Sequence, residues 1–236
     1  LVFFYLIDKM IILTGISGGI GSLLVRRLLE LDNVIGIYNK TIPEKAESEK
    51  LVYESVDLKD EDKVISFIGK YEEDLSRITL IHCAAVKKDN LAVNYDLADW
   101  DDVFNVNLKG NFILTKYLLN VMISEGWGRI IHLSSKGAES GDPGTIAYSA
   151  SKTALFGMSK VLSKEYARFN ITSNLISLGA FNTGLYSSLD QKVKDGIINK
   201  IPSKKLGDAC NITNAVKFLI ESDYVNGSVI TIDGGV

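Results

Sequence analysis

Tyr148 and Lys152 are the residues of this sequence whose types and spacing most directly suggest chemistry. They stand four positions apart in the segment YSASK. In a helix the phenol and the ammonium would share one face, with Ser149, Ala150 and Ser151 turned elsewhere. A nearby ammonium favours loss of the phenol proton, which indicates a tyrosine that moves a proton. Taken alone, the pair also fits a chance neighbourhood on a surface helix.

A second candidate site lies near the amino terminus, in TGISGGIG at residues 14–21. An apolar run precedes it and an amphipathic pattern follows, which predicts a strand, a glycine-rich turn and a helix. Glycines at positions 15, 18, 19 and 21 would let the backbone turn tightly and approach a pyrophosphate at the amino end of that helix. A glycine-rich turn without a ligand is the alternative.

Seven short apolar runs alternate with amphipathic stretches and predict the architecture. They are MIILT (10–14), VIGIY (34–38), LVYESV (51–56), ITLIHCA (78–84), RIIHLS (129–134), ITSNLIS (171–177) and SVITI (228–232). Strand and helix in alternation, with near-continuous apolar strands, indicate a parallel sheet covered on both faces. We therefore predict one Rossmann-type, doubly wound α/β domain over residues 10–236, with its ligand at the carboxyl ends of the strands. The polar stretch 39–50 is interpreted as a loop and a helix.

The composition narrows the function classes. Lys and Arg number 26 against 29 Asp and Glu, without a basic tail, which argues against nucleic acid as a partner. Two histidines leave no metal-binding cluster of the usual spacing. Two cysteines cannot form a disulfide framework and fit a reducing compartment, so we expect a cytoplasmic protein.

Residues 1–9 are interpreted as an extension ahead of a natural start near Met10. Their apolar opening, LVFFYLI, lacks the basic region and the cleavage site of a signal peptide. It is also far too short to span a bilayer, and no other segment reaches that length, so we expect no membrane association.

The ends of the second and third predicted strands should contact the dinucleotide. An acidic residue at the end of the second strand would bind the ribose hydroxyls of NAD, but that end reads GIYNK, with Asn39 and Lys40. This favours NADP(H), with NAD(H) possible, although Lys40 could simply be solvated. Asp57 and Leu58 follow the third strand, where an adenine could bind; Asp57 could equally cap the next helix.

Together, TGISGGIG, Asn107 in NVNLKG, Ser135 in GRIIHLSS and YSASK resemble the short-chain dehydrogenase/reductase family. The similarity runs from Met10 to Val236 and continues through NLISLGAFNTG and VNGSVITIDGG. Within the family the chain is most similar to the 3-oxoacyl-(acyl-carrier-protein) reductase type, through IPSKKLGD followed by AVKFLIESD. The motifs occur in the family's order, which favours catalysis over the separate structural roles that each residue could have.

The resemblance implies a catalytic tetrad. Tyr148 would be the general acid in carbonyl reduction, helped by Lys152 and by the positive charge of the oxidised nicotinamide. Ser135 would hold the substrate oxygen. Asn107, in a helix that it could locally bend, would position a water that links Lys152 to solvent.

The resemblance also implies the remaining cofactor contacts and shows departures from the family pattern. Implied contacts with the cofactor are Gly15, Ser17, Gly18, Ile20, Asn39, Lys40, Asp57, Leu58, Ala84, Tyr148, Lys152, Phe181 and Thr183. The family's Asn-Asn-Ala-Gly is here HCAA, beginning at His82. Gly18 stands where NADP-preferring members often carry Arg, which weakens the preference for NADP.

Residues 180–205 should cover the substrate, by the same resemblance. Phe181, Leu185 and Tyr186 could form an apolar wall. Lysines at 192, 194, 200, 204 and 205 could meet an acidic carrier protein, or could belong to a helix that faces water. The substrate would be a small or carrier-linked carbonyl compound: a 3-oxoacyl thioester, or another ketone, alcohol or sugar. A sensor that binds the cofactor without turnover is a further alternative. The family also implies a homotetramer.

Overall fold

The sheet order explains where a ligand can bind. The computed structural model describes residues 9–44, 46, 48–183 and 190–236. Within them, seven parallel strands form one sheet in the order β3-β2-β1-β4-β5-β6-β7. The direction of winding reverses between β1 and β4, and a crevice opens at such a point, beyond the carboxyl ends of the strands. The predicted doubly wound α/β fold is confirmed.

The strands fall where the apolar runs predict them. They are β1 (Met10–Thr14), β2 (Asn33–Tyr38), β3 (Leu51–Ser55), β4 (Ile78–His82), β5 (Gly128–Ser135), β6 (Ile171–Leu178) and β7 (Val229–Ile232). The helices are α1 (Gly19–Leu28), α2 (Glu61–Lys70), α3 (Leu97–Phe104), α4 (Asn111–Glu125), α5 (Lys136–Ser140), α6 (Ile146–Glu165), α7 (Gln191–Lys200) and α8 (Ala209–Glu221). Short 3-10 turns cover Ala92–Asn94 and Ala167–Phe169, and a π-helical turn covers Asn105–Gly110.

Alternating side chains on each strand divide the core into two layers. In β1, Met10 and Ile12 pack with α2, α4 and α6, whereas Ile11 and Leu13 pack with α1 and α8. All four side chains are buried. Because both faces of the central strands are covered, a continuous apolar run is what such a strand requires.

Two local features differ from the simplest expectation. The described residues of 39–50 contain bends and turns but no helix, so the helical part of that interpretation is wrong. Its charges leave no apolar stripe to pack against the sheet. The helical pattern around Asn107 is interrupted by the π turn, which agrees with the expected local distortion.

Two features of the described residues bear on ligand class. No helix among them combines the length and the apolarity needed to cross a membrane. They also contain no group of three or more His, Cys, Asp or Glu side chains placed to hold a metal ion.

Candidate active site

The turn after β1 is built for close backbone approach. Gly15 has φ of +69°, and a Cβ there would lie 2.6 Å from the Cα of Ala84. Ala84 itself is held in place because the Thr14 Oγ1 accepts hydrogen bonds from the backbone N–H groups of Cys83 and Ala84, both at 3.0 Å. The loops after β1 and β4 are therefore held in contact at the point where the direction of winding reverses.

Helix α1 begins directly above this turn. A Cβ on Gly21 would lie 2.2 Å from the carbonyl oxygen of Gly15, so a larger residue cannot occupy that position without moving the backbone. The residue at the N-cap is Gly18, which has no side chain to cap the helix, and the first turn contains no acidic residue. The first residues of this helix line the crevice, where unpaired helix N–H groups would favour an anion.

An open cleft of about 660 Å³ runs from this turn along the carboxyl edge of the sheet. Its lining includes all the residues expected to contact the cofactor: Gly15, Ser17, Gly18, Ile20, Asn39, Lys40, Asp57, Leu58, Ala84, Tyr148, Lys152, Phe181 and Thr183. Ser135 lines it as well. Residues from the whole length of the chain therefore meet in one crevice.

The end of the cleft near β2 and β3 carries polar and charged side chains. Asn39 and Lys40 are exposed there. Asp57 does not cap α2, because the cap is Asp60, whose side chain accepts from the N–H of Lys63. The carboxylate of Asp57 instead accepts from the N–H of Lys59 at 3.1 Å within its own turn.

Tyr148 and Lys152 lie at the opposite end of the cleft, on the first turns of α6. The Lys152 Nζ is 6.0 Å from the centre of the Tyr148 ring and donates to the carbonyl of Leu133 at 2.7 Å. Lys152 is only 3% exposed, so it is not the solvated surface lysine of the alternative interpretation. Its burial lowers its pKa to about 8.

Ser135 ends β5 and faces the same phenol. In the protein by itself, burial raises the pKa of Tyr148, and a hydrogen bond with Ser135 acts in the opposite direction. Ser135 also stands at the start of α5, but its side chain makes no capping hydrogen bond. The Ser135 hydroxyl is therefore available to an oxygen atom of a molecule bound in the cleft.

Asn107 lies behind the cleft and is fully buried. Its Oδ1 accepts from the N–H of Val86 at 2.8 Å, and its Nδ2 donates to the Val86 carbonyl and to the Ser151 Oγ, both at 3.0 Å. The side chain thus joins the loop after β4 to helix α6. Both hydrogens of the Asn107 amide are engaged, so a water could bind to this residue only through its oxygen atoms, of which the backbone carbonyl lies in the π turn.

Three residues of this site escape the sequence reasoning. Ser151, expected to turn away from the site, is buried against Asn107 and donates to the Tyr148 carbonyl at 2.8 Å. Thr14 anchors the loop after β4. Lys87 reaches into the cleft, with its Nζ 5.9 Å from the centre of the Tyr148 ring and 2.8 Å from Asp89 Oδ2. The i+3 spacing from Tyr148 is a weak signal for Ser151. Thr14 opens the TGISGGIG motif, although its anchoring role is not predicted, and Lys87 has no signal in the sequence.

These features define a dinucleotide-type crevice with a buried Tyr–Lys pair and a serine at its end. The model of the short chain dehydrogenase family matches residues 9–194. The chain belongs to this family, a family of oxidoreductases.

Relatives of similar length extend the match over nearly the whole chain. Nodulation protein G of Rhizobium sp. (strain N33) is 34% identical and covers 99% of this chain and 98% of the relative. The 3-oxoacyl-(acyl-carrier-protein) reductase FabG of Rickettsia conorii is also 34% identical, with 98% of both chains covered. Among solved structures, ElxO with NADP bound superposes with a TM-score of 0.89 at 26% identity, over 97% of this chain and 98% of that one.

Proposed function

We propose that this protein is an NADP(H)-dependent reductase that converts a 3-oxoacyl thioester to the 3-hydroxyacyl thioester. The observation that carries the proposal is the meeting of Tyr148, Ser135 and buried Lys152 in one cleft with the glycine-rich turn after β1. Similarity to the Rickettsia reductase supports the substrate class, and similarity to the NADP-bound ElxO supports the cofactor.

The cleft fits a nicotinamide dinucleotide on its own geometry. Gly15 and Gly21 allow the turn to pack closely against the loop after β4 and against α1. The first residues of α1 line the cleft, where helix N–H groups would bind a pyrophosphate. Phe181 and Thr183 would lie beside the nicotinamide, while Leu58 and Asp57 would lie beside the adenine. The cofactor would supply the hydride. The exposed Lys40 favours a 2′-phosphate over a bare ribose, so NADP(H) is proposed and NAD(H) is the alternative.

Each polar group at the far end has a chemical role in this proposal. Tyr148 would donate its proton to the carbonyl oxygen as that oxygen gains charge, and Ser135 would donate a hydrogen bond to the same oxygen. Lys152 would stabilise the phenolate left behind. Asn107 would hold the π turn in which its carbonyl could bind the water that restores the proton.

The surface after β6 suits a carrier-linked substrate. Phe181 is buried against Gly207 at the base of this region, and Leu185 and Tyr186 lie outside the described residues. Lys192, Lys200, Lys204 and Lys205 are exposed and Lys194 is half-buried, on or just after α7. We propose that this basic surface meets an acidic carrier protein. A ketone, alcohol or sugar without a carrier remains the second substrate class, and a cytoplasmic location remains a prediction.

The test is turnover of purified protein with an acetoacetyl thioester, followed through the absorbance of NADPH and, separately, of NADH. We expect NADPH to be oxidised at least tenfold faster than NADH. Faster oxidation of NADH would contradict the role given to Lys40. Cofactor binding without oxidation would reject this substrate, and other carbonyl compounds would be tested next. If none of them is reduced either, a sensor that binds the cofactor without turnover is favoured.

A further inference from the structure

Two buried histidines beneath the active site take no part in the proposed chemistry. His82 in β4 and His132 in β5 are direct neighbours in the parallel register. Their rings stack with centres 5.0 Å apart and an angle of 12° between planes, and both residues are fully buried. Buried polar rings require hydrogen-bond partners, so the position of each ring proton is open to inference.

His82 is bracketed by two side chains of α4. Its Nε2 lies 2.8 Å from the Thr115 Oγ1. On the other side, the Nδ1 of His82 and the Oδ1 of Asn111 are both buried, and neither makes a hydrogen bond within the described part of the chain. Asn111 stands one helical turn before Thr115 on α4, and both side chains are buried, so the two lie on the helix face that meets His82. Asn111 also acts to raise the pKa of His82, against the larger effect of burial. A proton on Nδ1, directed to Asn111, with Nε2 accepting from Thr115, satisfies all of these groups.

His132 requires the opposite arrangement. Its Nε2 lies 3.3 Å from the Ser173 Oγ, and Ser173 donates its own hydrogen to the Ser159 Oγ at 3.0 Å. The Ser173 oxygen must therefore accept, which places the proton of His132 on Nε2. The Nδ1 of His132 is buried and has no hydrogen-bond partner among the described residues, so the two rings share the stack but differ in their partners.

Both rings are neutral near pH 7. Burial lowers the pKa of His132 to about 3 and that of His82 well below its ordinary value, and the Lys152 charge acts in the same direction on both. Neutral imidazoles carry one proton each, so the choice of nitrogen is a fixed feature of the core rather than an average over charged forms.

Asn111 connects this core to the catalytic segment. Its Nδ2 donates to the backbone carbonyl of Asn107 at 2.9 Å, inside the distorted turn that a π-helical segment creates. That bond requires the amide to present nitrogen to Asn107 and oxygen to His82. A reversed amide would put two acceptors face to face at Asn107.

We propose that His82 is a positioning residue for Asn107: its Nδ1–H fixes the amide of Asn111, and the Asn111 Nδ2 holds the Asn107 carbonyl in place. The inference rests on the proposed function, because it gives that carbonyl a part in proton resupply. Without His82 the Asn111 amide is free to turn, and the carbonyl loses its fixed direction.

The first test reads the ring protons directly. We expect ¹⁵N NMR of histidine-labelled protein at pH 7 to show a protonated Nδ1 for His82 and a protonated Nε2 for His132. The two sets of signals are assigned by their loss in His82→Asn and in His132→Leu. A protonated Nε2 at His82 would overturn the proposal. This readout does not depend on turnover, so it stands apart from a failure of the proposed reductase activity.

The second test compares matched core variants in the reductase assay. His82→Leu should lower kcat at least tenfold with KM and cofactor Kd within twofold, whereas His132→Leu, a similar change in the same stack, should keep kcat within twofold. His82→Asn, whose Nδ2 can replace the donor, should restore kcat. Equal losses of kcat in the two leucine variants, or no loss in His82→Leu, would contradict the role.

A double-mutant cycle isolates the connection and also serves if His82→Leu fails to fold. Asn111→Ala should lower kcat by a similar factor. His82→Met, which also lacks the donor, should lower kcat by itself but cause no further loss when it is added to Asn111→Ala. If the losses of kcat in the two single variants multiply in the double variant, or if Asn111→Ala keeps full kcat, His82 does not act through Asn111. Wild-type protein that reduces no carbonyl compound would instead reject the proposed function.

Discussion

At the scale of single residues, the site sets a buried cation against a buried phenol. Burial disfavours the charged form of each, which lowers the pKa of Lys152 and raises that of Tyr148 in the protein by itself. The proposed reduction draws on both shifts, because a neutral phenol can donate a proton and a nearby cation eases its departure. The Ser135 hydroxyl acts against the burial effect and lowers the pKa of the same phenol.

Removal of the Tyr148 hydroxyl tests the proposed general acid. Tyr148→Phe keeps the ring and its packing but has no proton to donate, so we expect turnover to fall at least 10³-fold, within the ~10²–10⁴-fold contribution of general acid catalysis. Cofactor affinity, measured by fluorescence titration, should change by less than about threefold, because the ring remains in place. Substantial residual activity would reject the mechanism.

Removal of the Lys152 charge should stabilise the protein by itself at pH 7 while abolishing turnover. Because burial lowers the pKa from 10.5 to about 8, the charge costs about 3 kcal/mol below pH 8, at ~1.36 kcal/mol per unit. Loss of the hydrogen bond to Leu133 offsets ~1 kcal/mol of the gain in Lys152→Met.

The stability of the wild type should show the matching pH dependence. Between about pH 8 and 10.5 the unfolded chain holds more protons than the folded one, so the wild-type free energy of unfolding rises with pH across that window. The advantage of Lys152→Met should therefore shrink there. Urea unfolding at pH 7 and pH 10 measures it; an advantage that is absent at pH 7 or constant with pH would show that the burial cost is not the dominant effect.

At the scale of elements, two short irregular segments position the site. The turn between β1 and α1 touches the loop after β4 at Gly15 and Ala84. The π turn carries Asn107, whose side chain holds that same loop at Val86. The loop after β4 is therefore fixed from both sides, and its alignment sets the width of the cleft between the glycine turn and Tyr148.

Two glycine-to-alanine substitutions separate the effect of a steric clash with the backbone from the effect of helix propensity on stability. Gly21→Ala should lower the free energy of unfolding by at least about 2 kcal/mol and weaken cofactor binding, since its Cβ would meet the Gly15 carbonyl oxygen at 2.2 Å. Gly69→Ala, in α2 with open space around it, should instead stabilise the protein by ~1 kcal/mol. Urea unfolding measures both, and a neutral Gly21→Ala would show that the turn can shift.

At the scale of the whole molecule, the faces of α4 and α6 leave an apolar groove outside the sheet layers. It is lined among others by Phe112, Tyr117, Met158 and Val161, and Phe112 and Val161 are 49% and 53% exposed. We propose that this groove forms one interface of the homotetramer that the family resemblance implies.

Charge substitution in the groove tests this assembly. Light scattering of the wild type should give a tetramer, and Val161→Lys should lower the mass, because a charged side chain would have to leave water at an apolar interface. Ile65→Lys provides the control, since Ile65 is 43% exposed on α2 and outside the groove lining. A monomeric wild type, or a Val161→Lys variant that stays tetrameric, would reject the interface.

The sequence by itself determined the fold class, the family and the candidate active-site set. Apolar runs mark buried parallel strands because both faces of such strands must be covered. The motifs around Gly15, Asn107, Ser135 and Tyr148 can be recognised in short segments of the sequence, because their chemistry needs particular residue types at particular spacings.

Only the tertiary structure decided how these residues depend on the rest of the chain. The contact of Gly15 with Ala84, the anchoring role of Thr14 and the burial of Ser151 join segments that lie far apart in sequence. The stack of His82 on His132 depends on the register of two strands. Periodicity reports which face of its own element a residue occupies, but its partners on other elements follow from the packing of the whole chain.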